Sequence, residues 1–162
     1  MRGEEGRILS RWGDAGWGGL VAEGKPTGRF DDLLVSATLE MIQKRWKPDP
    51  MPSWLTCVPS LRNPKLVPDL AQRIASGLGI PFLPIVKKIR ENEPQKMMNN
   101  RFHQCSNLDG VFSIHGHPPS TPGLLLDDVV DSRWTLTVIT ALLREAGAEI
   151  VYPIALASTG GG

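Results

Sequence analysis

The sequence predicts an α/β fold, an open parallel sheet of about five strands with helices on both faces. Two observations predict it. Short apolar runs at 54–58, 124–126 and 150–156 alternate with stretches of helical periodicity at 31–45, 67–78 and 139–146. Strands alternating with helices are the signature of a parallel sheet built from crossover units. The run Leu124-Leu125-Leu126 then ends in two adjacent acids, Asp127 and Asp128, and a polar turn leads into an amphipathic helix. That order puts carboxylates and helix-start N–H groups at the carboxyl edge of a buried strand, where open α/β sheets bind ligands.

With 162 residues the chain is long enough for one domain with a proper core. Its net charge of +1 gives no broad pull toward nucleic acid or a membrane surface. No apolar run approaches the roughly 20 residues that a membrane span needs. The start, Met1-Arg2-Gly3-Glu4-Glu5, lacks a signal-peptide core. Cys57 and Cys105 lie far apart without metal-type spacing, so both are expected as reduced thiols of a cytoplasmic protein.

Residues 1–30 form a Trp/Gly-rich arm. Arg11-Trp12-Gly13-Asp14-Ala15-Gly16-Trp17-Gly18 is too irregular for a long helix, and its indoles are expected to pack on the main body. Residues 31–159 form the main domain, and 160–162 a flexible tail. Within the domain, Asp31 or Asp32 caps a first helix, which Pro48, Pro50 and Pro52 end. Residues 54–58 suit a buried strand and 59–64 a loop. The next helix, 67–78, stops at Gly79. Residues 82–86 make a weaker strand, with Pro84 marking an edge or a bulge. The polar stretch 87–108 is helical in part from Pro94, and 111–114 is a short strand. After Leu124-Leu125-Leu126, the helix carrying Ile139, Leu142, Leu143 and Ala146 ends at Gly147, and 150–156 is the last strand.

The acids allow two readings. Adjacent strand residues point to opposite faces, so one acid faces the crevice and the other bonds a neighbouring loop unless the strand is already ending. Alternatively they merely terminate a strand, and Asp131 or Ser132 caps the helix. Ser132, Thr135 and the amides around them sit at the helix start, where unpaired donors and the dipole attract anions. The turn is not a Walker loop, having no Gly-Lys-Ser/Thr ending.

Asp127-Asp128-Val129-Val130-Asp131-Ser132-Arg133-Trp134-Thr135 resembles the ribose-phosphate motif of type I phosphoribosyltransferases. Val58-Pro59-Ser60-Leu61-Arg62 resembles the pyrophosphate loop of that family. The segment 90–112, with Pro94-Gln95-Lys96, Asn107 and Gly110-Val111-Phe112, is similar to the mobile-loop region of ComF-like members. The span 11–156 looks closest to the phosphoribosyltransferase-like domain behind the helicase core of RecQ-type proteins.

The resemblance implies roles. Asp127 and Asp128 would contact the ribose hydroxyls of phosphoribosyl pyrophosphate, directly or through Mg²⁺ as metal ligands. Asp131, Ser132, Arg133, Trp134 and Thr135 would cradle its 5′-phosphate. Asp131 falls where purine-specific members of the family carry an acid proposed as general base, making it the candidate catalytic residue. Ser60, Leu61 and Arg62 would meet the pyrophosphate, with Arg62 as charge partner. The implied ligand is phosphoribosyl pyrophosphate or a nucleotide, the implied cofactor Mg²⁺, and the implied neighbour a helicase core in the same or another chain. Arg133 departs from the pattern, which has Gly there. An Arg in a left-handed turn costs roughly 1 kcal/mol or more. That change favours a sensing or docking module of a DNA helicase or repair protein over an active Mg²⁺-dependent transferase.

Lys87, Lys88, Arg90, Lys96 and Arg101 form a basic cluster, readable as a lid over a polyanion, a solvated surface, or a contact for single-stranded DNA. DNA contact is weakly supported, because Phe102 alone offers a stacking ring in that stretch. His115 and His117 lie beside two prolines without further ligands and read as surface residues. A receiver-type phosphoacceptor domain also uses acid pairs near strand ends. It suits the sequence less well, since the acids fall late and no early strand carries a second acid cluster.

Overall fold

Apolar side chains alternate sides along the central strand, and this decides how the layers stack. In the computed structural model, which describes residues 7–11, 17–60, 63–89, 111–130 and 134–158, the elements follow in this order. They are β1 (Arg7–Arg11), α1 (Trp17–Thr27), α2 (Asp32–Glu40), β2 (Trp54–Cys57), α3 (Leu66–Leu78), β3 (Val86–Lys88), β4 (Phe112–Ile114), β5 (Gly123–Val130), α4 (Trp134–Glu145) and β6 (Val151–Ser158). Leu124 and Leu126 of β5 join a core with Val21 of α1, Leu34 of α2 and Leu70 and Ile74 of α3. Leu125 between them faces the other way, into a core with Leu136, Ile139 and Leu143 of α4. Helices thus cover both faces, as the sequence pattern predicts.

The main sheet has the order β1-β6-β5-β2, with every neighbouring pair parallel. In the middle, Leu126 of β5 lies opposite Ile154 of β6 on one side and Cys57 of β2 on the other. Beyond β2, Phe82 makes a single parallel bridge to Leu55. The ladder stops there because the Ile85 N–H, the next donor that could reach β2, turns back to Leu83 O at 2.8 Å. The chain resumes as β3, which pairs antiparallel with β4 in a separate two-stranded sheet. The runs at 82–86 and 111–114 therefore do not add full strands to the parallel sheet. They form its frayed edge and a small ribbon beside the α4 face, where Val86, Val111 and Phe112 are buried.

Helix limits follow local chemistry. Asp31 caps α2 by accepting the Leu33 N–H at 2.8 Å, the bond an N-cap carboxylate makes. A π-helical turn, Met41–Trp46, continues α2 and ends at Lys47, which is left-handed. Gly79 closes α3 with φ 73, a conformation that suits a residue without Cβ.

The N-terminal stretch holds two elements that periodicity does not announce. β1 pairs with β6 at the sheet edge. α1 contains Gly18, Gly19, Gly24 and Pro26, all poor helix formers. Its stability comes from tertiary packing instead: Val21 is fully buried and Leu20 packs on the same core.

Candidate functional site

The carboxyl ends of β2 and β5 lie side by side. Val58 N–H donates to Leu126 O at 2.8 Å and carries the ladder one step beyond β2. From there the chain turns away through Pro59 and Ser60, while β5 runs on through both acids to Val130. Four residues later α4 begins at Trp134. A crevice at such an edge is where open α/β sheets take their ligands.

The acids lie inside β5, not at its end. Leu126, Asp127, Val129 and Val130 all keep register with β6. The expectation that one acid bonds a neighbouring loop is corrected: each carboxylate folds back on its own strand. Asp127 Oδ1 accepts the Asp128 N–H at 2.8 Å, and Asp128 Oδ1 accepts the Val129 N–H at 2.7 Å. Both side chains thereby lean toward the carboxyl end, which brings neighbours on opposite faces of a strand close to each other. Burial pushes the Asp127 carboxyl well above its ordinary range. The charge of Asp128 and a hydrogen bond between the two carboxyls push it further.

Asp128 is only 7% exposed, and a buried carboxylate needs a partner. That partner is Lys25 of α1, whose Nζ lies 2.6 Å from Asp128 Oδ2. Sequence reasoning does not find Lys25. It sits between Gly24 and Pro26 in a segment without helical periodicity, and no local pattern ties it to an acid 103 positions away. The strand ending on the same edge contributes Cys57. Burial pushes its thiol up to about 12, and the nearby Asp127 charge adds to that. Such a thiol is inert as a nucleophile.

Of the pyrophosphate-loop residues, Ser60 is half-buried, and its hydroxyl accepts the Asn63 N–H at 3.3 Å, closing a turn. Leu61 and Arg62 lie outside the described residues, as do Asp131, Ser132 and Arg133. Trp134 and Thr135 are half-buried in the first turn of α4, and Trp134 packs against the core beneath that helix. Among the described residues, the first turn of α4 carries no acid. His115 and His117 are exposed, and His115 shares a hydrogen bond with Ser113. Of the basic cluster, Lys87 and Lys88 lie on β3, while Arg90, Lys96 and Arg101 fall outside the described residues. A cavity of about 240 Å³ beside α1 is lined by Leu20, Glu23, Gly24, Thr27, Arg29 and Asp31 and includes neither acid of the pair.

Asp127 and Asp128 are a poor fit to a directly held metal ion. One oxygen of Asp128 is engaged by Lys25 and the other by the Val129 N–H. Among the described residues no third His, Cys, Asp or Glu joins them in a metal-binding group. Among those residues, too, no helix is long and apolar enough to cross a membrane.

Known structures share this arrangement of sheet and helices. A purine phosphoribosyltransferase from Pyrococcus horikoshii superposes with a TM-score of 0.51 at 22% identity, over 80% of this chain and 77% of that one. The chain has the type I phosphoribosyltransferase fold. An adenine phosphoribosyltransferase from Leishmania tarentolae gives 0.50 at 16% identity, covering 88% of this chain and 78% of that one. Another adenine phosphoribosyltransferase gives 0.50 at 12% identity over 80% and 81% of the two chains. No protein-family model matches the chain, and no curated protein sequence does.

Proposed function

We propose that this chain binds a phosphorylated ribose, either phosphoribosyl pyrophosphate or a nucleotide, at the carboxyl edge of β2 and β5. The observation that carries the reading is the paired acids Asp127 and Asp128 on the long parallel strand, directly before the turn that opens α4. In this reading the carboxylates take the ribose hydroxyls. Asp131, Ser132, Arg133, Trp134 and Thr135 wrap the 5′-phosphate at the helix start, where anions are favoured. Ser60, Leu61 and Arg62 meet the diphosphate. Mg²⁺ belongs with the ligand's phosphate oxygens and water, since it takes few protein ligands.

Arg133, standing where the family motif has Gly, supports a sensing or docking role over turnover. Its attachment to a RecQ-type helicase core, and through it to DNA repair, rests on the sequence resemblance. So does a cytoplasmic setting, to which the free buried thiol of Cys57 is suited. The fold likeness to purine and adenine phosphoribosyltransferases favours a second reading, transfer of ribose 5-phosphate to a nitrogenous base with Asp131 as general base.

Calorimetric titration with phosphoribosyl pyrophosphate and MgCl₂ tests both. Binding without pyrophosphate release when bases are added supports the sensor, and release supports the enzyme. The double variant Asp127→Asn with Asp128→Asn is expected to lose binding while its circular dichroism stays native. Equal binding by the variant and the native chain places the ligand elsewhere.

A further inference from the structure

The acid pair carries its own cation. Lys25 stands in the last turn of α1, where the helix dipole favours positive charge. Its side chain is 36% exposed, so the ammonium bonds Asp128 on one side and meets solvent on the other. It is held in place by the helix that carries it, since Val21 and Leu20, one turn earlier, are packed in the core. A metal ion on Asp128 would have to share the carboxylate with this ammonium at a few ångströms, where like charges repel strongly.

We propose that Lys25 takes the position a divalent cation would occupy on Asp128, so that a ribose ring binds there without a metal ion. The proposal rests on the ribose-phosphate reading above and adds to it how the sugar end is read. An ammonium has three donors. One serves Asp128 Oδ2 at 2.6 Å. The others are free to meet ribose hydroxyl oxygens, whose own protons go to the carboxylates. Lys25 is thus a specificity-determining residue, supplied by a helix far from the motif in sequence. A purely structural ion pair would stabilise the fold and leave the metal dependence of ligand binding unchanged.

The test titrates ribose 5-phosphate into the native chain, Lys25→Met and Lys25→Arg, in EDTA and in MgCl₂. The native chain is expected to bind with the same affinity in both. Lys25→Met is expected to lose roughly ten-fold or more in EDTA, the worth of a charge-assisted contact, and to recover in MgCl₂. Lys25→Arg keeps most of the EDTA binding. A native chain that binds only with MgCl₂ overturns this inference and leaves the ribose-phosphate reading standing. Native-like binding by Lys25→Met in EDTA also overturns it. Absence of binding by the native chain in either buffer overturns both. Should Lys25→Met melt below the assay temperature, the native chain in the two buffers still decides.

Discussion

The indole of Trp54 fills the space that a side chain at Gly123 would need. The two residues are register partners on β2 and β5, and a Cβ on Gly123 would collide with the ring. Trp54 has little freedom to retreat. It is fully buried, and its Nε1–H donates to Thr121 O at 2.7 Å. Gly123→Ala is therefore expected to destabilise by about 1–3 kcal/mol, the usual cost of overpacking a core. Urea unfolding should show a lower midpoint with unchanged slope. A midpoint within error of the native chain would refute the close approach.

Arg73 ties α3 to the start of α2. Its guanidinium donates to Phe30 O at 2.8 Å, to Asp32 Oδ1 at 2.7 Å and to Asp69 Oδ2 at 2.9 Å. Asp32 is 76% exposed, so that pair contributes little. The bond to the Phe30 carbonyl is the more shielded one. Arg73→Met is expected to cost about 1–2 kcal/mol, and Asp32→Asn less than about 0.5 kcal/mol. Thermal melts of the two variants check the ranking, and a larger loss for Asp32→Asn would reverse the assignment.

Asp127 makes stability fall as pH rises. Its carboxyl is raised above the ordinary 3.8 in the folded chain, so the fold holds more protons than the unfolded chain above that pH. Stability then declines through the window that opens at the ordinary value and closes at the raised one. Asp127→Asn keeps an oxygen for the Asp128 N–H and removes the titration. It is expected to raise Tm at neutral pH, by about 2–4 °C for each kcal/mol recovered. The gain should vanish below the ordinary carboxylate range. A pH-independent difference between variant and native chain would contradict the raised carboxyl.

Cys57 should be unreactive in the native state. With its thiol pushed up to about 12 and the side chain buried, almost no thiolate forms at pH 8. In a Cys105→Ser background, labelling by a chromogenic disulfide at pH 8 is expected to track unfolding, becoming immediate only in urea. Fast labelling without denaturant would show an open edge at the end of β2.

Much of this architecture was legible in residue patterns because the signals are local. Asp31 as a cap, Gly79 as a stop, and the uninterrupted run Leu124-Leu125-Leu126 each act within a few positions. Illegible were β1 and α1, whose Gly and Pro residues argue against the helix that packing of Val21 enforces. The strand length at the acids was illegible for the same reason. Polar residues end a strand by propensity, but continuing register with β6 carries β5 to Val130.

The chain's own order of residues determined the α/β layering and set the adjacent acids Asp127 and Asp128 after the apolar run of β5, the proposed ligand edge, because hydrophobic period and turn residues act between near neighbours. Only the folded arrangement decided what faces those acids. Ion pairing depends on distance in space, and the Lys25 ammonium reaches Asp128 solely because α1 is laid across the sheet.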